Sequence, residues 1–273
     1  AFTQPVISGG VATFSDLTLT GVKASDYKLT FSTGGKSLES SAITLGFGSI
    51  HHLVITTQPS GAASGAALTQ QPVVEVRDSG GNLVEDYAGS FTVTKTAGVN
   101  ALTALTYTQP GYSSGTATFT DLLLSGKAAS DYKLTFTTGG KSIQSSAITL
   151  GTGPATQLLV FDQPSVATNG VAMGDVVVRA LDSGGNLDTG YSGTVSLAIT
   201  SGAGVLSGGT GDTSVADDVA TVDAASGVAT CTFCPISAPS TTVIRIPDSV
   251  TVAAIGPLFG STLTGDRSSS EAI

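Results

Sequence analysis

The two cysteines of the 273-residue chain stand three apart, in Cys231-Thr-Phe-Cys234. A pair so spaced can supply half of a four-ligand zinc site, a redox couple, or a disulfide. No second pair completes a zinc site, and no helical period follows to lower a thiol pKa. Along a straight strand, residues three apart point to opposite faces and lie too far apart for a disulfide. A bulge at Pro235 would bring the two sulfurs together in an oxidising compartment, so a Cys231–Cys234 disulfide stays open beside a second reading. In that reading Cys231, which stands where a phenylalanine stands in an internal repeat described below, is a small core residue.

His51 and His52 are the only histidines. They lack a neighbouring acid or thiol, a metal would need two further ligands, and a Ser–His–Asp arrangement has little to draw on. The acidic run Asp212, Asp217, Asp218 and Asp223, and the group Asp78, Asn82 and Glu85, offer oxygens of the kind calcium takes. Neither has the spacing of an EF-hand loop, and solvated loops are the simpler reading. The stretches 46–52 and 151–157 contain no acids at all. Gly35-Lys36-Ser37 and Gly140-Lys141-Ser142 imitate the end of a phosphate loop, but the glycine such a loop needs is replaced by Thr30 and Thr135. A strand follows instead of a helix, so these are hairpin turns. The expectation is a chain without catalytic residues, cofactor or metal.

Composition narrows the partners. Only 11% of residues are charged, net charge is −9 and 40% are apolar. The apolar share is enough for a core, which excludes a wholly disordered chain. The acidic balance, with no Trp, argues against nucleic acid, for want of both basic patches and stacking platforms. No apolar run is long enough to span a bilayer as a helix. Residue 1 is Ala and the single methionine is Met173, so residue 1 is expected to be a processed end or an internal start. Few cysteines and no Asn-x-Ser/Thr sequon point to a bacterial-type exported protein.

The elements that would position any site come from a repeat. Phe2–Pro5, Gly10–Gly21, Ala24–Phe31 and Ser40–Gly46 recur, offset by about 105 residues, at Tyr107–Pro110, Gly115–Gly126, Ala129–Phe136 and Ser145–Gly151. Alternation of period two governs these segments: in Asp131–Thr138, Tyr132, Leu134 and Phe136 share one face, and Val74 and Val76 share another. Lys28 and Lys133 fall on the polar side, which makes them poor candidates for buried crosslinks. Residues 50–154 read as seven short strands in about 100 residues separated by turns, which describes an all-β, immunoglobulin-type sandwich. Tyr132 stands where a tyrosine corner would sit, with an ordinary core aromatic as the alternative.

Residues 155–260 form a diverged third unit. Gln157–Pro164 answers His52–Pro59, and Arg179–Leu197 answers Val76–Val93. The signature D-S-G-G-N-L-x-x-x-Y-x-G-(S/T), at Asp78–Ser90 and Asp182–Thr194, lies between L-V-(I/F)-x-x-Q-P and G-(T/V)-A-T-(F/C)-(T/S). Together these resemble the tandem bacterial Ig-like repeats of large surface proteins, adhesins and extracellular filaments. The resemblance implies tandem Ig-like sandwiches, an extracellular or cell-surface location and a structural role as a stalk, sheath or filament segment. It transfers no binding residue. An alternative is a carbohydrate-binding module using loops of the third unit, whose aromatics are Phe161, Tyr191, Phe233 and Phe259. Residues 261–273 read as a polar tail.

Residues 1–49 match only the last strands of the repeat. Phe14, Tyr27, Leu29 and Phe31 keep the core identities of Phe119, Tyr132, Leu134 and Phe136. An apolar face with open edges invites pairing. This half-unit is therefore expected to be an assembly joint, completed by a neighbouring subunit of a homopolymer or by upstream sequence.

Overall fold

The computed structural model describes residues 3–163, 165–168, 171–201, 205–206, 219–232, 236–237 and 251–254. The described residues are all-β, in many small sheets, and contain no helix. The polar tail and the last part of the third unit lie outside them.

In unit two the strands divide between sheets in the manner of an immunoglobulin-like sandwich. One sheet orders Gly111–Ser113, Thr116–Thr118, Val73–Arg77 and His52–Thr57. The opposing one orders Thr92–Ala97, Ala129–Thr138, Ile148–Gly151 and Ala62–Ala63, with Lys141–Gln144 paired to the long strand. A third, Leu102–Thr106 with Leu123–Gly126 and Ala66–Ala67, closes one side. The elements are shorter and more numerous than the seven strands expected. Residues 116–124 do not run as one strand: Thr116–Thr118 pairs with Val73–Glu75, and Leu123–Gly126 pairs with Leu102–Thr106. Phe119 and Leu122, both in the core, are the residues on which the chain crosses between sheets. Gln71 holds that crossing, accepting from the Leu122 N–H and donating to the Leu122 carbonyl.

The core follows the alternation. Val74, Val76, Tyr132, Leu134 and Phe136 are all fully buried. Phe119 sits among Phe136, Phe91 and Tyr107, with ring centroids 5.4, 5.6 and 5.9 Å away. Tyr132 is both a core residue and a corner, since its hydroxyl donates to the Lys127 carbonyl at 2.7 Å. Tyr27 does the same to Val22, also at 2.7 Å. The Gly-Lys-Ser segments are hairpins: Gly139 and Gly140 take φ of 53° and 72°, and Thr138 pairs with Lys141 across the turn.

Unit three has a separate core of Met173, Val176, Val178, Val195, Leu197, Ala220 and their neighbours. Its strands Gln157–Asp162, Val176–Leu181 and Val228–Cys231 form one sheet, and Val219–Asp223, Thr194–Ala198 and Thr251–Ala254 another. Among the described residues of 1–49 the strands form two-stranded pairs: Val6–Ser8 with Val11–Thr13, Ala24–Tyr27 with Ile43–Leu45, and Thr30–Thr33 with Lys36–Glu39.

Candidate functional site

The residues with the densest polar chemistry lie where successive units meet. The Asp-Ser-Gly-Gly-Asn turn of unit two receives the end of the half-unit. Asp78 Oδ1 accepts from the N–H groups of Gly80 and Asn82, both at 2.8 Å, which closes the turn on itself. Its second oxygen reaches across and accepts from the Gly48 N–H at 2.7 Å. Asn82 spans the same joint: its amide NH2 donates to the Gly21 carbonyl at 2.9 Å, and its oxygen accepts from the Lys23 N–H at 2.7 Å. The side chain thus pairs with backbone as a strand residue would. The remaining amide hydrogen goes back to the Asp78 carboxylate at 3.0 Å.

The same bonds recur one unit on. Asp182 accepts from Gly184 at 2.8 Å, from Asn186 at 2.9 Å and, across the joint, from Gly153 at 2.8 Å. Asn186 donates to the Gly126 carbonyl at 2.8 Å and accepts from the Ala128 N–H at 2.9 Å. Gly80 and Gly184 are required by the docking itself. A Cβ on either would collide with the upstream carbonyl oxygen, of Gly21 or Gly126, that the asparagine binds.

The two joints differ around this clasp. At the first, Lys23 pairs with Glu85 at 2.9 Å, an exposed contact of small energetic weight. At the second, Ser125 and Ser183 share a hydrogen bond of 2.6 Å, and Thr103 lies 3.0 Å from Ser125 and 3.2 Å from the Ser183 carbonyl. Ser64 accepts from the Gly126 N–H at 3.1 Å, and Asp188 accepts from Ala155 at 2.8 Å. Ser64 and Thr103 come from the part of the repeat that residues 1–49 lack.

Electrostatics matches the geometry. The hydrogen bonds to Asp78, from Gly48 first and then from Asn82 and Gly80, hold its carboxyl down at about 2. Asp182 is fully buried, which pushes its carboxyl up, yet the donors Gly153, Asn186 and Gly184 outweigh burial and the net shift is downward. These carboxylates are surrounded by N–H donors, the opposite of a cation's surroundings. Asp78 and Asn82, expected to lie in a solvated loop, are instead docked against the preceding unit, and Glu85 pairs with Lys23. The stretches 46–52 and 151–157 have no acids of their own, but the fold brings them Asp78, Asp182 and Asp188.

The other candidate residues disperse. His51 and His52 face each other, Nδ1 to Nδ1, at 3.3 Å in an exposed position. Among the described residues no group of three or more metal-ligating side chains gathers. Asp212, Asp217 and Asp218 lie outside the described residues, and Asp223 accepts from the Thr194 hydroxyl at 2.5 Å. Cys231 is buried in the unit-three core and is disulfide-bonded; Cys234, the chain's other cysteine, lies outside the described residues. Tyr191 packs against the core, Phe161 is exposed, and Phe233 and Phe259 lie outside the described residues. Of the expected assembly residues, Phe14 and Phe31 meet at 5.5 Å, while Tyr27 and Leu29 are half-buried. Among the described residues no helix is long and apolar enough to cross a membrane.

No protein-family model matches the chain, and no curated protein matches it. Among solved structures, that of Yersinia pseudotuberculosis InvD is similar at 16% identity, covering 83% of this chain and 71% of that one, with a TM-score of 0.29. The fold assignment rests on the strand order and cores above. Sequence reasoning missed the clasp. The available signal was that the five residues of the turn recur unchanged in both units, more than a tight turn alone requires.

Proposed function

We propose that the chain is a stiffened segment of a bacterial extracellular stalk, sheath, filament or adhesin, built from tandem Ig-like units and without catalytic activity. The observation that carries this reading is the clasp, made twice with the same atoms and nearly the same distances. Polar side chains that dock one unit onto the next fix the angle between units, which a rod needs and a flexible string does not. The half-unit completes the proposal. Its apolar side leaves Leu17, Leu19 and Phe31 open where the repeat buries Leu122, Leu124 and Phe136, and it is covered by strands from a neighbouring subunit or from upstream sequence.

The test is a distance measurement between spin labels on exposed sites of successive units in the full chain. A narrow distribution that broadens in an Asn82→Ala, Asn186→Ala double variant is expected. A broad distribution in the unsubstituted chain sinks the rod. Immunogold electron microscopy of intact cells tests the location, and label confined to the cell interior would overturn it.

A further inference from the structure

Units two and three present equivalent outer faces on the sheet that carries the first strand of each. In unit two this face holds Val54, Thr56, Val73, Glu75 and Thr116, and its charge is satisfied internally: Glu75 accepts from Arg77 Nε at 2.8 Å. In unit three the corresponding positions are Leu159, Phe161, Val177, Arg179 and Val228. Position 181, matching Arg77, is Leu, so no opposite charge stands beside Arg179 on its own strand. Across the ladder its neighbours are Leu159 and Val228.

Phe161 is the extra residue of a β-bulge, because the register steps from Val160–Val178 to Asp162–Val177. Thr56 occupies the same bulge in unit two. A bulge re-aims a side chain, and here it sets Phe161 beside Arg179, whose guanidinium carbon lies 3.3 Å from the ring centroid. Even so, Phe161 remains 55% exposed and Leu159 46%. Among the described residues Arg179 makes no ion pair, and its buried Nε has no hydrogen-bond partner. Asp162, opposite Val177, is exposed on the same side. One face thus carries an apolar centre with a cation and an anion that form no ion pair among the described residues.

We infer that this face is a lateral docking surface for a second copy of the chain, related by a two-fold axis. A two-fold contact needs a patch that is complementary to itself. Inverting this face over its own copy stacks Leu159 and Phe161 in the centre and sets each Arg179 against Asp162 of the partner subunit. That charge complementarity is the argument for a copy of the same chain over another occupant. It adds sideways association to the end-to-end rod and does not depend on the clasp.

The experiment is analytical ultracentrifugation of the full chain across a concentration series. A concentration-dependent doubling of mass is expected for the unsubstituted chain, and its loss for Phe161→Ser, Arg179→Asp and Asp162→Arg singly. The Arg179→Asp, Asp162→Arg double variant should recover the dimer, which also shows that loss in the single variants is not misfolding. A chain that stays monomeric to its solubility limit overturns the proposal. So do single charge variants that dimerise normally, or a double variant that fails to recover. Glycan-array binding abolished by Phe161→Ser in a monomeric chain would assign the face to a saccharide and equally overturn it. An Asn82→Ala, Asn186→Ala chain should dimerise unchanged, so failure of the rod and failure of this contact are told apart.

Discussion

Residues 1–49 and 107–154 are nearly the same sequence in two environments. Phe119, Tyr132, Leu134 and Phe136 are sealed in a core, whereas their counterparts Phe14, Tyr27 and Leu29 are half-buried and Phe31 is 38% exposed. The local structure survives the difference. The hairpins form, and both tyrosine hydroxyls reach a carbonyl five residues upstream at 2.7 Å. What is lost is burial: among the described residues no strands equivalent to those at 52–106 pack over the half-unit. Secondary structure in this repeat is thus locally encoded, while burial depends on the packed strands that residues 107–154 have against them.

The largest expected effect exploits that contrast. Phe119→Ala should cost about 3–5 kcal/mol, as for a large side chain removed from a packed core. Phe14→Ala should cost less, under about 1.5 kcal/mol, because Phe14 is only half-buried. Hydrogen exchange at 129–138 and 24–33 in the full chain reads both. Equal costs would show that the half-unit is already covered.

Gly184→Ala should come next, because it pushes Gly126 away and strips partners from a buried carboxylate. A loss of about 1–3 kcal/mol, confined to the second joint, is expected from buried hydrogen bonds left unmade. Interunit distances should broaden while exchange within the unit-two core stays the same. Gly80→Ala should do less, since the first joint lacks the hydroxyl cluster of Ser64, Ser125, Ser183 and Thr103.

Acid should separate the joints from the cores. Asp78 has a folded value of about 2, below its ordinary 3.8, and Asp182 is also lowered. A lowered carboxylate stabilises the folded joint above its unfolded value, and that contribution is lost as pH falls through the folded one. The clasps should therefore hold at neutral pH and loosen between about pH 4 and 2, with the sandwiches still folded at the upper end of that window. A pH series of interunit distances checks this, and loosening near pH 6 would contradict the assignment. The smallest expected effect is that of chelator. EDTA should leave interunit distances and melting unchanged, because N–H donors surround the joint carboxylates; a shift would restore calcium to the joints.

Much of this was legible in the chain. Period-two alternation placed Val74, Val76, Tyr132, Leu134 and Phe136 inside, and the glycines at 139 and 140 marked a hairpin. The sheet switch at Phe119–Leu122 was not legible, because two buried apolar residues on a continuous run look like one strand until the partners are known. The third unit's outer face was equally hidden. Phe161 is one of four aromatics of that unit, and nothing in the sequence tells that a bulge turns it outward.

By itself the sequence determined the repeat, the strand class and which residues face inward, since these depend on side-chain period and on self-similarity. The tertiary structure alone decided the joint. Asp78 and Asn82 satisfy a turn through their own backbone, and that local chemistry is all that five consecutive residues can express. Where the second carboxylate oxygen and the amide go depends on Gly48, 30 residues away, and on Gly21, 61 residues away. Those distances in the chain collapse only when one unit has folded and the next has docked upon it.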